Sequence, residues 1–360
     1  MMKHIKGLDT LRAIAALIVV FGHIELAKSR YLKIEVYNDY FPSGRLSVIL
    51  FFVLSGFLIS YLLIKEFEVT KTISFKRFYL RRILRILPLY YLVLLLSAVL
   101  ISANPSSLSY FLCFTIFPNI AHAIGEGWSS SPQIWSIGVE EQFYLIWPVF
   151  LYIIMRINPK SLTYLLFIFI IGFTVLPHFL GFLKLRDFHY EVMTTFEKIV
   201  YATKYNCIAI GVFIGLAYAK KKPWINVFNN NYVLVLISLI TSVMWFFKLE
   251  FKYFNDEGFA LLFAFLILSI IGPKTYDIDS SITRFLGQIS YGIYMYHWII
   301  VLLIINYIPY NEDVLIYNIQ LYSATFGITI LISWLSYNLF EKRFINLKQK
   351  KNIKTSPKNG

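Results

Sequence analysis

Apolar runs of about 20 residues recur along the whole 360-residue chain, and each is long enough to cross ~30 Å of hydrocarbon as a helix. Only 15% of the residues are charged, against 58% hydrophobic and 18% aromatic. Lipid rather than water therefore solvates most of such a surface. Spans are expected near 8–27, 46–64, 83–102, 134–155, 162–182, 200–219, 232–249, 257–272, 285–306 and 319–340. This describes an all-α polytopic membrane bundle of about ten helices, with no aqueous linker long enough to be a second domain.

A further run, 108–121 (LSYFLCFTIFPNIA), is short. Counted as a span, it inverts every later loop. Treated as re-entrant or interfacial, it leaves ten spans with both termini on one side. Lys and Arg arbitrate. With ten spans, 23 of the 34 basic residues fall on the side of the N-terminus, among them seven between positions 65 and 85 and seven from Lys342 onward. The opposite loops hold about ten, so the positive-inside rule makes the dense side cytoplasmic, with both termini there. The formal charge of +14 thus speaks first for orientation and then for an anionic ligand, rather than for nucleic acid.

The opening segment imitates a signal peptide, with Lys3 and Lys6 before an apolar core, but no small-x-small site follows Phe21. A retained first span is the expectation. Residues 1–345 read as one membrane domain and 346–360 as a basic tail, disordered or lying on anionic lipid. Cys113 and Cys207 lie in apolar segments without metal-ligand spacing and read as buried thiols.

Charged and polar residues at membrane depth cost free energy and need a partner or a task. The first span carries two, Arg12 and His23. Eleven residues amount to three helical turns plus about 20°, so both share one face, ~16 Å apart along the axis. A snorkelling arginine and a hydrogen-bonded core histidine would satisfy the same pattern. In FKRFYLRRILRILPLYYL, Arg77, Arg81, Arg82 and Arg85 crowd the entrance of the third span. Spacings of three and four bring guanidiniums together, which suits phosphate as well as topological anchoring. In QIWSIGVEEQFYLIWP, Glu140 and Glu141 are expected two turns in from the outer surface, level with His23. A carboxylate on an imidazole would fix its tautomer and raise its basicity; a structural ion pair is the alternative. FFVLSGFLIS puts Ser55 and Gly56 at mid-span, where small residues admit a helix or a ligand. SYGIYMYHW adds Ser290, Tyr294 and His297.

Taken in order, GLDTLRAIAALIVVFGH, FFVLSGFLIS, FYLRRILRILPLYY, IWSIGVEEQFYLIWP, LGQISYGIYMYHW and SYNLFEKRF resemble acyltransferase family 3, over Gly7 to about Phe344. These are bacterial integral-membrane O-acyltransferases of surface polysaccharides and other envelope glycans. The resemblance implies a plasma-membrane enzyme, without a C-terminal hydrolase-like domain. It would carry an acyl group, acetyl being the commonest, from acyl-CoA to a sugar hydroxyl, with acyl-CoA as donor substrate and no resident cofactor or metal. It makes His23 the catalytic residue, Arg12 its motif partner, and Arg82 and Arg85, with Arg81 and Arg77, the donor-binding cluster. Glu140 or Glu141 would orient His23, while Ser55, Gly56, Tyr294 and His297 would bind substrate or donate to an oxyanion. The loops 28–45 and 183–199 would help choose the acceptor, an envelope glycan or lipid-linked sugar. Thr10 and Gly138 depart from residues common in the family. Intramembrane His, Glu and Arg would also suit a proton-coupled transporter of envelope sugars or a small anion; no inverted repeat supports that alternative.

Overall fold

A computed structural model describes residues 5–33, 41–101, 105–185, 190–309 and 313–347. Most of the expected tail, Lys3, and parts of the two acceptor loops (34–40 and 186–189) lie outside the described residues. Among the described residues there is helix and no strand. The order is α1 (Leu8–Ala27), α2 (Gly44–Thr70), α3 (Phe75–Leu100), α4 (Ser107–Phe114), α5 (Pro118–Ala123), α6 (Ile134–Ile157), α7 (Ser161–Leu185), α8 (Tyr190–Thr203), α9 (Tyr205–Ala219), α10 (Asn231–Phe246), α11 (Asn255–Ile271), α12 (Ser281–Tyr307) and α13 (Val314–Ser336).

Among the described residues, eight helices are long and apolar enough to cross a membrane, α8 and α9 counting as one across a bend at Lys204. Each of the ten expected spans matches a helix, but α10 and α11, at 16 and 17 residues, fall short of the length of the others. The chain is thus a multi-pass membrane protein. Two helices run further than their apolar cores: α2 continues to Thr70, and α3 begins at Phe75, which places Arg77 to Arg85 inside its first three turns.

Segment 108–121 does not cross. It forms α4 and α5, joined by a tight turn at Ile116, whose φ is 70°. Its two ends meet, Ser106 hydrogen-bonding Glu126, while the tip carbonyl of Ile116 accepts from Gln142, eight residues into α6. Tyr90 and Tyr91, mid-way along α3, donate to the carbonyls of Cys113 and Phe114. The segment is therefore a hairpin that enters the bundle and returns.

Helix ends sort into two sets. At one, Lys6 donates to the Thr275 carbonyl at 2.5 Å and Lys65 to that of Ala219 at 2.8 Å. There Asp279 caps α1, accepting from the backbone of Gly7 and Thr10 and from the Thr10 hydroxyl at 2.7–3.1 Å. A carboxylate at a helix N-terminus satisfies orphan donors and complements the dipole, so Thr10 has a structural task of its own. At the other set, Gly22 packs on Gly44, Trp245 donates to the Ser43 carbonyl, and buried Asp256 pairs with both Arg45 and Lys204.

The most extensive packing is α2 on α9. Gly211 and Gly215, four apart on α9, lie against the backbone of Val53 and Phe57, and Gly56 lies against that of Ile208. Without a hydrophobic drive between helices in lipid, such close approach is what dispersion needs. Gly56 thus faces α9, which corrects its expected place among the substrate-binding residues. A Cβ there collides with the Ile208 carbonyl, so Gly56→Ala should cost at least about 1–3 kcal/mol, read as a lower thermal midpoint in detergent. Gly172→Ala, with nothing within 4 Å, serves as control. Equal midpoints for the two variants would contradict the α2–α9 crossing.

Candidate active site

A cavity of about 700 Å³ opens inside the bundle, walled by α1, α2, α3, α6 and α12. Its lining on α2 extends from Val48 to Thr70, about 33 Å of helix axis at 1.5 Å per residue. Five guanidiniums line it: Arg12 from α1 and Arg77, Arg81, Arg82 and Arg85 from α3. Isolated in lipid they would be prohibitively costly; facing a shared polar space they are not. Arg82 stacks over the rings of Phe78 and Tyr144, 5.7 and 5.1 Å from their centroids, and Arg12 binds Asp9 at 3.3 Å. Within the cluster, Arg82 is thus held over aromatic rings and Arg12 against a carboxylate. Such a positive, forked surface fits an anion.

Further in, the lining becomes a polar knot. Ser55 donates to Glu140 Oε1 at 2.9 Å, and the Tyr144 hydroxyl lies 2.9 Å from Ser55 Oγ and 3.1 Å from Glu140 Oε2. Tyr144 was not among the expected site residues, although its i+4 spacing from Glu140 places the two on one helix face. Beyond the knot the walls are Val48, Phe51 and Phe52, closed by Ser136 and Tyr294.

Tyr294 caps this inner end. Its hydroxyl donates to the Gln133 carbonyl at 2.9 Å and meets Ser136 Oγ at 2.6 Å. Its ring packs edge-on against Phe51, with the His297 ring 5.8 Å away on the other side. The cavity therefore ends one helical turn from His297. His297 is fully buried, and its Nε2 lies 2.6 Å from His23 Nδ1. Trp298 packs edge-on against the His23 ring at 5.2 Å.

The expected carboxylate partner of His23 is thus corrected. Glu140 is engaged by Ser55 and by Tyr144, over whose ring Arg82 lies. Glu141 turns away from the cavity lining, with Oε1 buried and without a hydrogen-bond partner. The reason is depth. α6 does not start at the surface: Gln133, just before its first turn, donates to the carbonyl of Met295, half-way along α12. The α4–α5 hairpin occupies the space above, and Gly138 admits Pro118 and Asn119 against α6. His297, expected to bind substrate, instead holds His23 and is absent from the cavity lining, whereas Tyr294, also expected to bind substrate, lines the cavity at its inner end. Ser55 lines the cavity, but its proton is committed to Glu140. Among the described residues no group of three or more His, Cys, Asp or Glu could hold a metal ion.

The Acyl_transf_3 family model, described as an acyltransferase domain, matches residues 5–338. The chain belongs to acyltransferase family 3. A Staphylococcus aureus (strain COL) protein named "Putative O-acetyltransferase SACOL0978" is 27% identical over 374 residues, covering 95% of this chain and 58% of its own length. The Listeria monocytogenes "Peptidoglycan O-acetyltransferase OatA" is 27% identical over 376 residues, covering 94% of this family 3 chain and 55% of its own length. The chain spans somewhat more than half the length of these relatives. No solved structure matches it.

The Ser55–Glu140–Tyr144 knot makes a quantitative prediction. Tyr144→Phe removes a donor to a buried carboxylate and should lower stability by about 1.5–3 kcal/mol. Combined with Ser55→Ala, the loss should be less than additive. Strictly additive shifts in the thermal midpoint would mean that the two hydroxyls do not share Glu140.

Proposed function

We propose that this chain is a membrane O-acetyltransferase that moves an acetyl group from cytoplasmic acyl-CoA to a hydroxyl of an envelope glycan or lipid-linked sugar, with His23 as general base. The observation that carries the reading is the course of the cavity. Its arginine-lined part suits the phosphates of a coenzyme, its apolar inner part suits a long neutral arm, and it ends at Tyr294, one helical turn from the His297 that holds His23. The names of the two relatives support acetyl and O-transfer, and one of them supports a peptidoglycan sugar as a kind of acceptor.

Orientation follows from charge. Lys6, Lys65, Lys220, Lys221, Lys222 and Lys274 belong to the arginine end of the bundle, so that end is taken as cytoplasmic, with both termini, in a bacterial plasma membrane. The donor then enters from the side where acyl-CoA is made, and the acceptor approaches His23 from the other.

In the chemical step, His23 takes the sugar hydroxyl proton as that oxygen attacks the thioester carbonyl carbon. The tetrahedral intermediate collapses with cleavage of the carbon–sulfur bond, and the coenzyme thiolate recovers a proton. The acceptor leaves as an ester. Positioned base catalysis of this kind contributes roughly 10²–10⁴ in rate, and holding both substrates together contributes through lost translational freedom.

Reconstituted protein, given labelled acetyl-CoA and a peptidoglycan fragment or lipid-linked sugar, should form labelled ester. His23→Ala should lower turnover by roughly 10²–10⁴-fold while insertion is unchanged; normal turnover would remove His23 from the chemistry. Arg85→Ala should raise the KM for acetyl-CoA by roughly tenfold or more, with little change in kcat. An unchanged KM would return the arginines to a topological role.

A further inference from the structure

We propose that His297 is a positioning residue that fixes the tautomer of His23, leaving His23 Nε2 as the bare, proton-accepting nitrogen. The inference deepens the general-base reading above and rests on it. Its evidence is a chain of three groups: the Ile293 carbonyl, the His297 ring and the His23 ring. His297 Nδ1 lies 3.2 Å from the Ile293 carbonyl oxygen, and His297 Nε2 lies 2.6 Å from His23 Nδ1.

A carbonyl oxygen only accepts, so His297 Nδ1 must carry a hydrogen. Neutral His297 then has no hydrogen on Nε2, which becomes an acceptor. Two ring nitrogens 2.6 Å apart need one proton between them, and it can come only from His23 Nδ1. Neutral His23 has now spent its single ring proton, and Nε2 carries a lone pair. The ring geometry agrees. The two planes are 7° apart and the centroids 4.9 Å apart, which is the separation of two rings joined in line by a nitrogen–nitrogen hydrogen bond.

Burial argues for the neutral state of this chain. His297 is 0% exposed, and an imidazolium there would be a buried charge facing another imidazole rather than a carboxylate. Glu25 lies two residues beyond His23, but its carboxylate is engaged by Lys28 and Tyr322. A histidine thus does here what a carboxylate does in the more familiar dyads, without placing a negative charge beside the base. A neutral partner orients the ring and selects the tautomer; it does not stabilise the imidazolium as a carboxylate would.

The experiment uses full-length protein in nanodiscs, labelled with ¹⁵N-histidine, and compares it with His23→Ala, His297→Leu and His297→Gln, all checked for insertion. The wild-type resonance pair absent from His23→Ala should show a protonated Nδ1 and a bare Nε2. In His297→Leu, which cannot accept a hydrogen bond, that pair should move toward the Nε2–H form. With acetyl-CoA as donor, kcat should fall by between about tenfold and the 10²–10⁴-fold of losing the base, with the KM for acetyl-CoA unchanged. In His297→Gln the carboxamide oxygen can accept from His23 and its N–H₂ can donate to Ile293, so the Nδ1–H form and most of kcat should return. A wild-type His23 protonated on Nε2, or full kcat in His297→Leu, would overturn the proposal. Normal product formation by His23→Ala would instead overturn the base reading, and leaves the tautomer measurement standing by itself.

Discussion

Charged side chains inside a bilayer are tolerated only where they face one another or an enclosed polar space, and this constraint organises the bundle. Arg12, Arg77, Arg81, Arg82, Arg85 and Glu140 all lie on helices predominantly apolar in sequence, and all turn toward one cavity. Five helices must stand around it with their polar faces inward, and the remaining helices support them from behind. The α2–α9 contact is the clearest case. Gly211 and Gly215 bring α9 against the backbone of α2, which sets the wall from which Ser55 reaches Glu140. The two functions of Ser-Gly at 55–56 thus point to different faces of α2, the hydroxyl into the cavity and the missing Cβ toward the neighbouring helix.

The cavity is graded along its length. Guanidiniums with few carboxylates mark one end, a carboxylate held by two hydroxyls marks the middle, and aromatic rings close the other end below a pair of imidazoles. A molecule that fits this gradient is anionic at one end and neutral along a slender arm. That is the outline of an acyl coenzyme, and the proposed function assigns it that occupant. Tyr294 is the divider. Its hydroxyl donates to the carbonyl of Gln133 just before α6, so the side chain that ends the cavity also ties the start of α6 to α12.

The sequence by itself determined the helices and most of the polar residues that turn toward the cavity. Hydropathy marks spans because burial in lipid is a property of each segment, summed residue by residue, and it needs no neighbours. Arg12, Ser55, Glu140, Tyr294 and the four arginines of α3 could likewise be singled out, because polar groups at that depth are expensive wherever the other helices stand. The motif blocks were long enough to show the family. Tyr144 could have been added from its spacing to Glu140.

Only the tertiary structure decided who meets whom. Depth counted from the presumed surface placed Glu140 beside His23, but the α4–α5 hairpin takes up that depth and sinks the start of α6 to the middle of α12. Glu140 consequently meets Ser55 and Tyr144, and His23 meets His297, 274 residues away. The direction of Gly56 was undecidable for the same reason. A helix carries its own rise and twist, but its axial offset and rotation relative to its neighbours come from packing many side chains at once, and a one-dimensional pattern does not contain them.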